Sequence, residues 1–390
     1  MAEILTTIAI ILGVSLLFSE LFFRIKYPRE IGQILAGMIL GLPVLSFLFD
    51  PSVILDIRFL SDLGIIFLLL LTGLQINLEK FKRAEKDAII IAISGILLPF
   101  ALGFILMKVA GYSNLIGVIV GICFSLSAEG TTLKVLLDMR ALNSKVGAIM
   151  LGAGIFDDLL EVLSLSMLLV IIGGNAADLA LFPLKVGTFV LLVYIFYKLF
   201  PKGLAAVERE HSRVSTFSFI LIFGIAIAVL AKDLGLGPII GAFIAGIIIH
   251  LSEHRKWEYM ETVKELQVVT FSLIIPFFFV YIGLQFDFIS VLENLPLVLL
   301  VVILATIGKV LGAVIVTPFT DLSVSQTHLI GWGMNSRGAI ELVIAEIARS
   351  HRLLPAEVYA SIVAMAIITT LVFPIILKRW IKKNRKILDA

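Results

Sequence analysis

Charged residues and cysteines are both scarce in this sequence, and each scarcity excludes a class of protein. Charged residues occupy 15% of the 390 positions, whereas soluble domains carry about 25%. Hydrophobic residues occupy 60%, more than a soluble fold can bury, so we predict an all-α polytopic protein of the lipid bilayer. The single cysteine, Cys123, excludes an internal disulfide and any CxxC metal or redox site. The net charge of +2 is too small to indicate a nucleic-acid partner.

Long apolar runs recur along the whole chain and predict its spans. A spanning helix needs about 20 mostly apolar residues, and about 13 runs meet that requirement. The first run lacks the basic start and small-residue cleavage site of a signal peptide, so we expect it to be retained. The longest linkers leave no room for a soluble domain; they are 201–213 and 252–266. The predicted spans are 4–23, 31–48, 58–77, 87–108, 114–137, 144–173, 179–200, 214–231, 235–251, 267–285, 290–318, 326–349 and 356–378.

Basic residues are distributed unequally between the loops on the two sides of the membrane. With 13 spans, the side that holds the C-terminus carries 21 Lys and Arg residues, and the opposite side carries 6. In membrane proteins the cytoplasmic loops hold the excess of positive charge. We therefore expect a multi-pass protein of the cell membrane, with its N-terminus outside and its C-terminus in the cytoplasm.

Three short motifs occur twice, in the same order, at offsets of 208 to 210 residues. Seven spans separate the members of each pair, so the two copies are predicted to cross the membrane in opposite directions. Such inverted six-helix repeats are typical of secondary transporters, whose binding site lies between the repeats near the bilayer centre. We place repeat one at 1–173, a linker helix at 179–200 and repeat two at 214–378. The matched motifs are Ile31–Gly37 with Ile240–Gly246, Gly73–Leu78 with Gly283–Phe288, and Ser127–Gly130 with Asn335–Gly338.

The third matched pair interrupts two apolar helices with Gly, a small polar residue and a charge. Irregular backbone at membrane depth is tolerated only where it is buried or lines a wet cavity. We therefore expect spans 114–137 and 326–349 to be discontinuous helices that cross near the bilayer centre. The hydroxyls of Ser127, Thr131 and Thr132 either supply oxygens to a cation or cap the broken helix ends.

Three carboxylates, Asp157, Asp158 and Glu161, lie within one predicted span. An ionised group at the bilayer centre is costly, so each of them needs a partner or a function. Asp157 and Asp158 point about 100° apart around a helix, so one can face a cation pathway while the other pairs with Lys309, which also lies deep in a span. A carboxylate that binds either a proton or a cation makes the two compete, and this competition couples their movements.

Arg337 stays charged under nearly all conditions, and we assign it a structural role. It neutralises Glu341 four residues along the same helix, or Glu129 in the other interrupted helix, or the broken helix ends themselves. A purely structural role for the three acids of one span is disfavoured, because three acids exceed what Lys309 and Arg337 require.

Together these residues resemble the monovalent cation/proton antiporter superfamily, and the resemblance covers nearly the whole chain. Its nearest branch holds the paired-aspartate sodium/proton antiporters and the potassium-efflux antiporters; the latter usually carry Gln-Asp where this chain has two aspartates. The motifs that carry the resemblance are Phe156-Asp157-Asp158, Ile307-Gly-Lys309-Val-Leu-Gly312, Pro276–Gln285, and Ser336-Arg-Gly338 with Glu341.

The resemblance implies electrogenic exchange of Na⁺ or Li⁺ for H⁺, with no cofactor beyond the transported ions. It implies that Asp158, beside Asp157, binds the cation and the proton, and that Asp157 pairs with Lys309. Two residues depart from the family pattern, Glu129 in the interrupted helix and Glu161 one turn beyond the aspartates. Each of them either joins the cation shell or alters the stoichiometry.

The resemblance also implies a homodimer in a prokaryotic cell membrane. It implies an elevator-like motion of core helices at 87–173 and 290–378 against dimerisation helices at 1–77 and 214–285.

Three other functions stay open at the level of sequence. A potassium/proton antiporter would use the same scaffold. A cation channel differs because a pH gradient cannot drive uphill cation movement through it. An intramembrane aspartyl protease needs two aspartates that face each other from different helices, whereas Asp157 and Asp158 are adjacent on one helix. We therefore expect a transporter and not an enzyme.

Overall fold

The computed structural model describes residues 2–48, 51–75, 86–142, 144–154, 156–157, 164, 176–208, 213–251, 256–383 and 385–388. Within these ranges the chain forms helices and turns and no strand, which confirms the all-α prediction for this part of the protein. Eight of the described helices are long and apolar enough to span a membrane, and three shorter apolar helices accompany them. The count of 13 spans stays a prediction.

Helices are numbered in chain order. They are α1 (Ala2–Arg24), α2 (Arg29–Leu40), α3 (Pro51–Gln75), α4 (Lys86–Val109), α5 (Asn114–Ser125), α6 (Glu129–Asp138), α7 (Lys145–Gly154), α8 (Ala176–Glu208), α9 (Arg213–Asp233), α10 (Pro238–Leu251), α11 (Lys256–Val269), α12 (Ile275–Leu284), α13 (Phe288–Glu293), α14 (Leu295–Ile315), α15 (Val324–Gly333), α16 (Ala339–Ser350) and α17 (Ala356–Lys383).

The chain separates into two compact units. Helices α1–α3 and α8–α12 belong to the first unit, and α4–α7 and α13–α17 belong to the second. The first unit consists of Met1–Ile25, Arg29–Ile76 and Leu165–Gln285, and the second consists of Lys26–Pro28, Asn77–Ser164 and Phe286–Ala390.

Several predicted boundaries are wrong, each for a local reason. Helix α2 ends at Leu40 and a 3-10 turn begins at Pro43, whose ring cannot continue a helix. The predicted linker 252–266 is helical from Lys256, because α11 passes through a π-helical turn at Thr270–Ile274 directly into α12. That wide turn lies just before Pro276, which has no N–H to complete a regular turn.

Two close helix contacts in the first unit depend on glycine. At the first, a Cβ on Gly37 of α2 would overlap the carbonyl of Val280, and one on Gly283 of α12 would overlap the carbonyl of Ile34. At the second, Gly73 of α3 and Gly246 of α10 approach each other in the same way. Only residues without a Cβ allow backbones this close.

The second unit contains two helix pairs that are interrupted in the middle. The chain leaves helical geometry between α5 and α6, at 126–128, and again between α15 and α16, at 334–338. Both interruptions fall where the sequence predicts discontinuous helices. The N-terminal ends of α5 and α15 are well capped. The Ser113 hydroxyl accepts from the N–H of Ile116, and Ser323 forms a capping box with Gln326.

Candidate cation and proton site

The two interruptions contact each other inside the second unit. The Ala128 N–H donates to the carbonyl of Ser336 at 2.9 Å, and the Ser336 hydroxyl donates to the carbonyl of Ala128 at 2.7 Å. The Thr132 hydroxyl donates to the carbonyl of Gly333 at 2.5 Å and lies 3.1 Å from the Ser336 hydroxyl. These bonds satisfy backbone groups that the broken helices leave without partners. For Thr132, the geometry therefore favours a helix-end role over a cation-binding one.

A fully buried ion pair lies beside this junction. The Nζ of Lys309, from α14, is 2.9 Å from Oδ2 of Asp157, and both side chains are 0% exposed. Lys309 also donates to the carbonyl of Ser125 at 2.5 Å, and the Ser127 hydroxyl donates to Oδ2 of Asp157 at 2.5 Å. Oδ1 of Asp157 has no hydrogen-bond partner among the described residues. The pair expected between Asp157 and Lys309 is thus present, and its role in coupling stays a prediction.

A cavity opens next to Ser127. Its volume is about 10 Å³, which is room for about one water molecule, and most of its lining is apolar, with Ser127 and Thr132 as the polar lining residues. Met150, Leu151 and Gly154 of α7 and Met334 complete the lining. Hydroxyl and carboxylate oxygens are ligands that alkali cations accept. The cavity therefore brings oxygen donors of the junction within reach of a small cation.

Arg337 caps the broken end of α5. Its Nη1 donates to the carbonyls of Cys123 at 3.3 Å and Phe124 at 2.6 Å and also to that of Leu126, while Nη2 donates to Ala305 at 3.3 Å. The C-terminal end of a helix carries partial negative charge, so a guanidinium there is favourable. Of the three structural roles predicted for Arg337, the neutralisation of a helix end is the one that these contacts support.

Arg337 donates no hydrogen bond to Glu341, although its charge acts on that carboxyl group, so neutralisation of Glu341 by Arg337 stays a prediction. Glu341 is 0% exposed, and its two carboxylate oxygens accept no hydrogen bond from any residue that the structure describes. The spacing of four residues permits a direct pair. The guanidinium donates instead to the carbonyl of Phe124 at the end of α5.

Several predicted site residues lie outside the described part of the chain. Asp158 and Glu161 fall between residues 157 and 164, where nothing is described. Glu129 and Thr131 belong to α6, but their side chains are not described. Their roles stay as predicted from the sequence.

Sequence reasoning missed the backbone and hydroxyl groups that hold the site together. The carbonyl of Ser125 accepts from Lys309, and Thr370 of α17 exchanges hydrogen bonds with the backbone of Arg337, at 3.1 and 3.2 Å. The matched motifs did give a signal for Ser336, since its counterpart at the same offset is Ala128. For Thr370 the only signal is a hydroxyl within an apolar helix.

The chain is similar to known proteins over nearly its whole length. The family model described as "Sodium/hydrogen exchanger, transmembrane" matches residues 8–383. The Na(+)/H(+) antiporter of Enterococcus hirae is 28% identical over 390 residues, which cover 98% of this chain and 99% of the relative. The Na(+)/H(+)-K(+) antiporter GerN of Bacillus cereus is 28% identical over 377 residues, which cover 96% of each chain.

The fold is shared with a solved structure. The sodium proton antiporter MjNhaP1 from Methanocaldococcus jannaschii, determined at pH 8, superposes with a TM-score of 0.69. The similarity covers 97% of this chain and 96% of that one at 16% identity, so it concerns the fold alone.

Proposed function

The chain belongs to the sodium/hydrogen exchanger family of transmembrane proteins, and from this premise we propose that it exchanges Na⁺ for H⁺ across the cell membrane. The observation that carries the proposal is the buried Asp157–Lys309 pair beside two interrupted helices. A buried pair is poor at adding stability and costly to disturb, so its presence at a helix break favours a functional role.

The cation and the proton compete for one site in this proposal. Asp158 is the carrier, and Asp157, Ser127 and Thr131 contribute further oxygens. Protonated Asp158 cannot bind Na⁺ well, and bound Na⁺ displaces the proton, so each ion drives the other. The cavity next to Ser127 supports this arrangement, because it offers space beside the hydroxyl that contacts Asp157.

Lys309 makes the exchange electrogenic. Its ammonium holds Asp157 while the site is empty of cation, and it is released when a cation or proton neutralises the aspartates. The carbonyl of Ser125 supports this step, because it gives the ammonium a second acceptor that does not depend on Asp157. Binding of one cation that displaces more than one proton moves net charge in each cycle, and the flux then responds to membrane voltage.

We further propose that the two sequence repeats are inverted and related by a pseudo-twofold axis. A twofold axis brings equivalent positions together and generates contacts in reciprocal pairs. Ala128 and Ser336 are equivalent positions, and they bond to each other. In the first unit, Gly37 packs on Gly283, which is the second-repeat counterpart of Gly73. Gly73 packs in turn on Gly246, which is the second-repeat counterpart of Gly37.

The two units then have different tasks. The second unit, which holds the site, is the moving core of an elevator-like mechanism, and the first unit forms the homodimer. The glycine contacts support a rigid first unit, because backbones packed this closely leave no side chains to rearrange. We place the N-terminus outside and the C-terminus in the cytoplasm, on the distribution of basic residues.

Potassium is the second candidate cation, because the name of one relative, GerN, includes K⁺. Purified protein in vesicles with an internal pH dye separates the possibilities. We expect an imposed pH gradient to drive uphill accumulation of Na⁺ and Li⁺ more strongly than of K⁺. A stronger response to K⁺ would assign the potassium/proton function, and downhill movement alone would indicate a channel. Glu293→Gln, an exposed carboxylate at the end of α13, is the matched control.

A further inference from the structure

Glu341 is a buried carboxyl group to which the exchange mechanism gives no task. It is the third residue of α16, just after the interruption at 334–338, and it is 0% exposed. Neither of its oxygens accepts a hydrogen bond from a described residue. Buried polar groups are rarely left in this condition, and a carboxylate tolerates it least. Its charge state therefore needs a physical explanation.

The two cations whose charges act on Glu341 are bonded to other partners. Arg337 directs its guanidinium to the carbonyls of Phe124 and Leu126, and Lys309 is bonded to Asp157 and to the carbonyl of Ser125. Both cations act on Glu341 through their electrostatic field. Neither donates a hydrogen bond to it, so an ionised Glu341 would lack the direct contacts that normally compensate a buried charge.

Among the described residues, the polar side chains of α5 and α17 next to α16 do not supply this contact either. From α5, the Cys123 thiol donates to the backbone carbonyl of Glu341 at 3.8 Å and not to its carboxyl group. From α17, the Tyr359 hydroxyl donates to Glu346 at 2.9 Å, and Glu357 accepts from Tyr112 at 3.1 Å.

A neutral carboxylic acid fits this environment better than a carboxylate does. It carries no charge to be desolvated, whereas the positive end of α16 and the field of the two cations compensate a carboxylate only in part. We propose that Glu341 is a second proton-binding site, occupied in this conformation and emptied during the transport cycle. This inference rests on the proposed exchange function.

Lys309 connects the two sites. While it is paired with Asp157, its positive charge is balanced within the pair. When Na⁺ neutralises the aspartates, the ammonium of Lys309 is left without that counter-charge, and its field then favours the ionised form of Glu341. Glu341 releases its proton to water at that step, so one cation displaces a proton from the aspartate site and a further proton from Glu341.

Two measurements test this inference on the purified, full-length protein. Infrared spectra at neutral pH, without Na⁺, should contain the carbonyl band of a protonated carboxylic acid. Glu341→Gln should reduce that band by the share that Glu341 contributes and leave the share of protonated Asp158, Glu341→Asp should restore the lost intensity, and the exposed control Glu293→Gln should leave the band unchanged. Retention of the full band in Glu341→Gln would show that Glu341 is ionised and would overturn the inference.

The second measurement counts protons released per Na⁺ bound in weakly buffered solution. Glu341→Gln should release fewer protons than the unmodified protein, by the single proton that Glu341 contributes. An unchanged count would show that Glu341 releases no proton, and it would leave the proposed Na⁺/H⁺ exchange unaffected. If the unmodified protein releases no protons, the proposed function fails, and the infrared band still decides the charge of Glu341. Should Glu341→Gln fail to fold, Glu341→Ala replaces it, and a count equal to that of the unmodified protein would again contradict release.

Discussion

Arg337 and Lys309 cap the same helix end from different parts of the chain. Lys309 of α14 donates to the carbonyl of Ser125, and Arg337 donates to the neighbouring carbonyls of Phe124 and Leu126. The last carbonyls of a helix lack intrahelical partners and carry partial negative charge. Both cations are therefore held at the broken end of α5, one as a fixed cap and one in a pair with Asp157.

Replacement of Arg337 by Lys should destabilise the protein although charge is kept. A compact ammonium cannot reach the set of carbonyls that the planar guanidinium reaches. We expect a loss of about 2–4 kcal/mol, because each charge-assisted hydrogen bond contributes about 1.5–3 kcal/mol. Thermal melting in detergent measures it. Arg24→Lys is the control, since Arg24 pairs with Glu20 at an exposed site; an equal effect of both changes would contradict the capping role.

The Asp157–Lys309 pair should show strong coupling in a double-mutant cycle. Asp157→Asn or Lys309→Gln alone leaves an uncompensated buried charge, which costs about 3–5 kcal/mol. The double variant should recover much of that loss, because neither charge remains. Melting temperatures of the four proteins give the coupling, and additive losses would mean that the pair is not stabilising in the way its 2.9 Å separation indicates.

A methyl group at Gly37 should disturb the first unit. Its Cβ would overlap the carbonyl of Val280, and overpacking of this kind costs about 1–3 kcal/mol. Gly13→Ala, on α1 of the same unit, is the matched control because no atom lies within 4 Å of the added carbon. We expect Gly37→Ala to melt lower and Gly13→Ala to be unchanged or higher. Equal melting temperatures would argue against the close contact.

Asp287 should make a small pH-dependent contribution at a site outside the membrane-spanning helices. Hydrogen bonds from the Ser290 hydroxyl at 2.6 Å and the Ser290 N–H at 3.1 Å lower the pKa of Asp287. A group whose pKa is lower in the folded state stabilises the protein at neutral pH, and this contribution is lost as the pH falls through that pKa.

Asp287→Asn tests this contribution because asparagine also caps helices well. We expect the variant to keep its cap at neutral pH and to lose less stability than the unmodified protein when the pH is lowered to about 3. If the melting temperatures of the two proteins fall equally as the pH is lowered, Asp287 makes no such contribution.

The sequence predicted the structure best where the length of an apolar run determines a helix. The long runs at α4, α14 and α17 and the two interruptions follow from hydropathy and from Gly and polar residues within it. Helix ends were less predictable, because Pro43 and Pro296 shorten runs that remain apolar on both sides.

The partners of buried charges could not be derived from spacing. Arg337 binds main-chain carbonyls, which every residue possesses and no motif marks. The same holds for the contact of Lys309 with Ser125. Asp157 was identifiable because a charge in an apolar span is costly without a partner.

The account depends most on Asp158 as the shared carrier of cation and proton. The most direct measurement is the release of protons when Na⁺ is added to purified protein in weakly buffered solution, followed with a pH dye. The unmodified protein should release protons in a saturable way, and Asp158→Asn should release none from the aspartate site and should not drive Na⁺/H⁺ exchange in vesicles. Normal proton release and exchange in a folded Asp158→Asn variant would contradict the account.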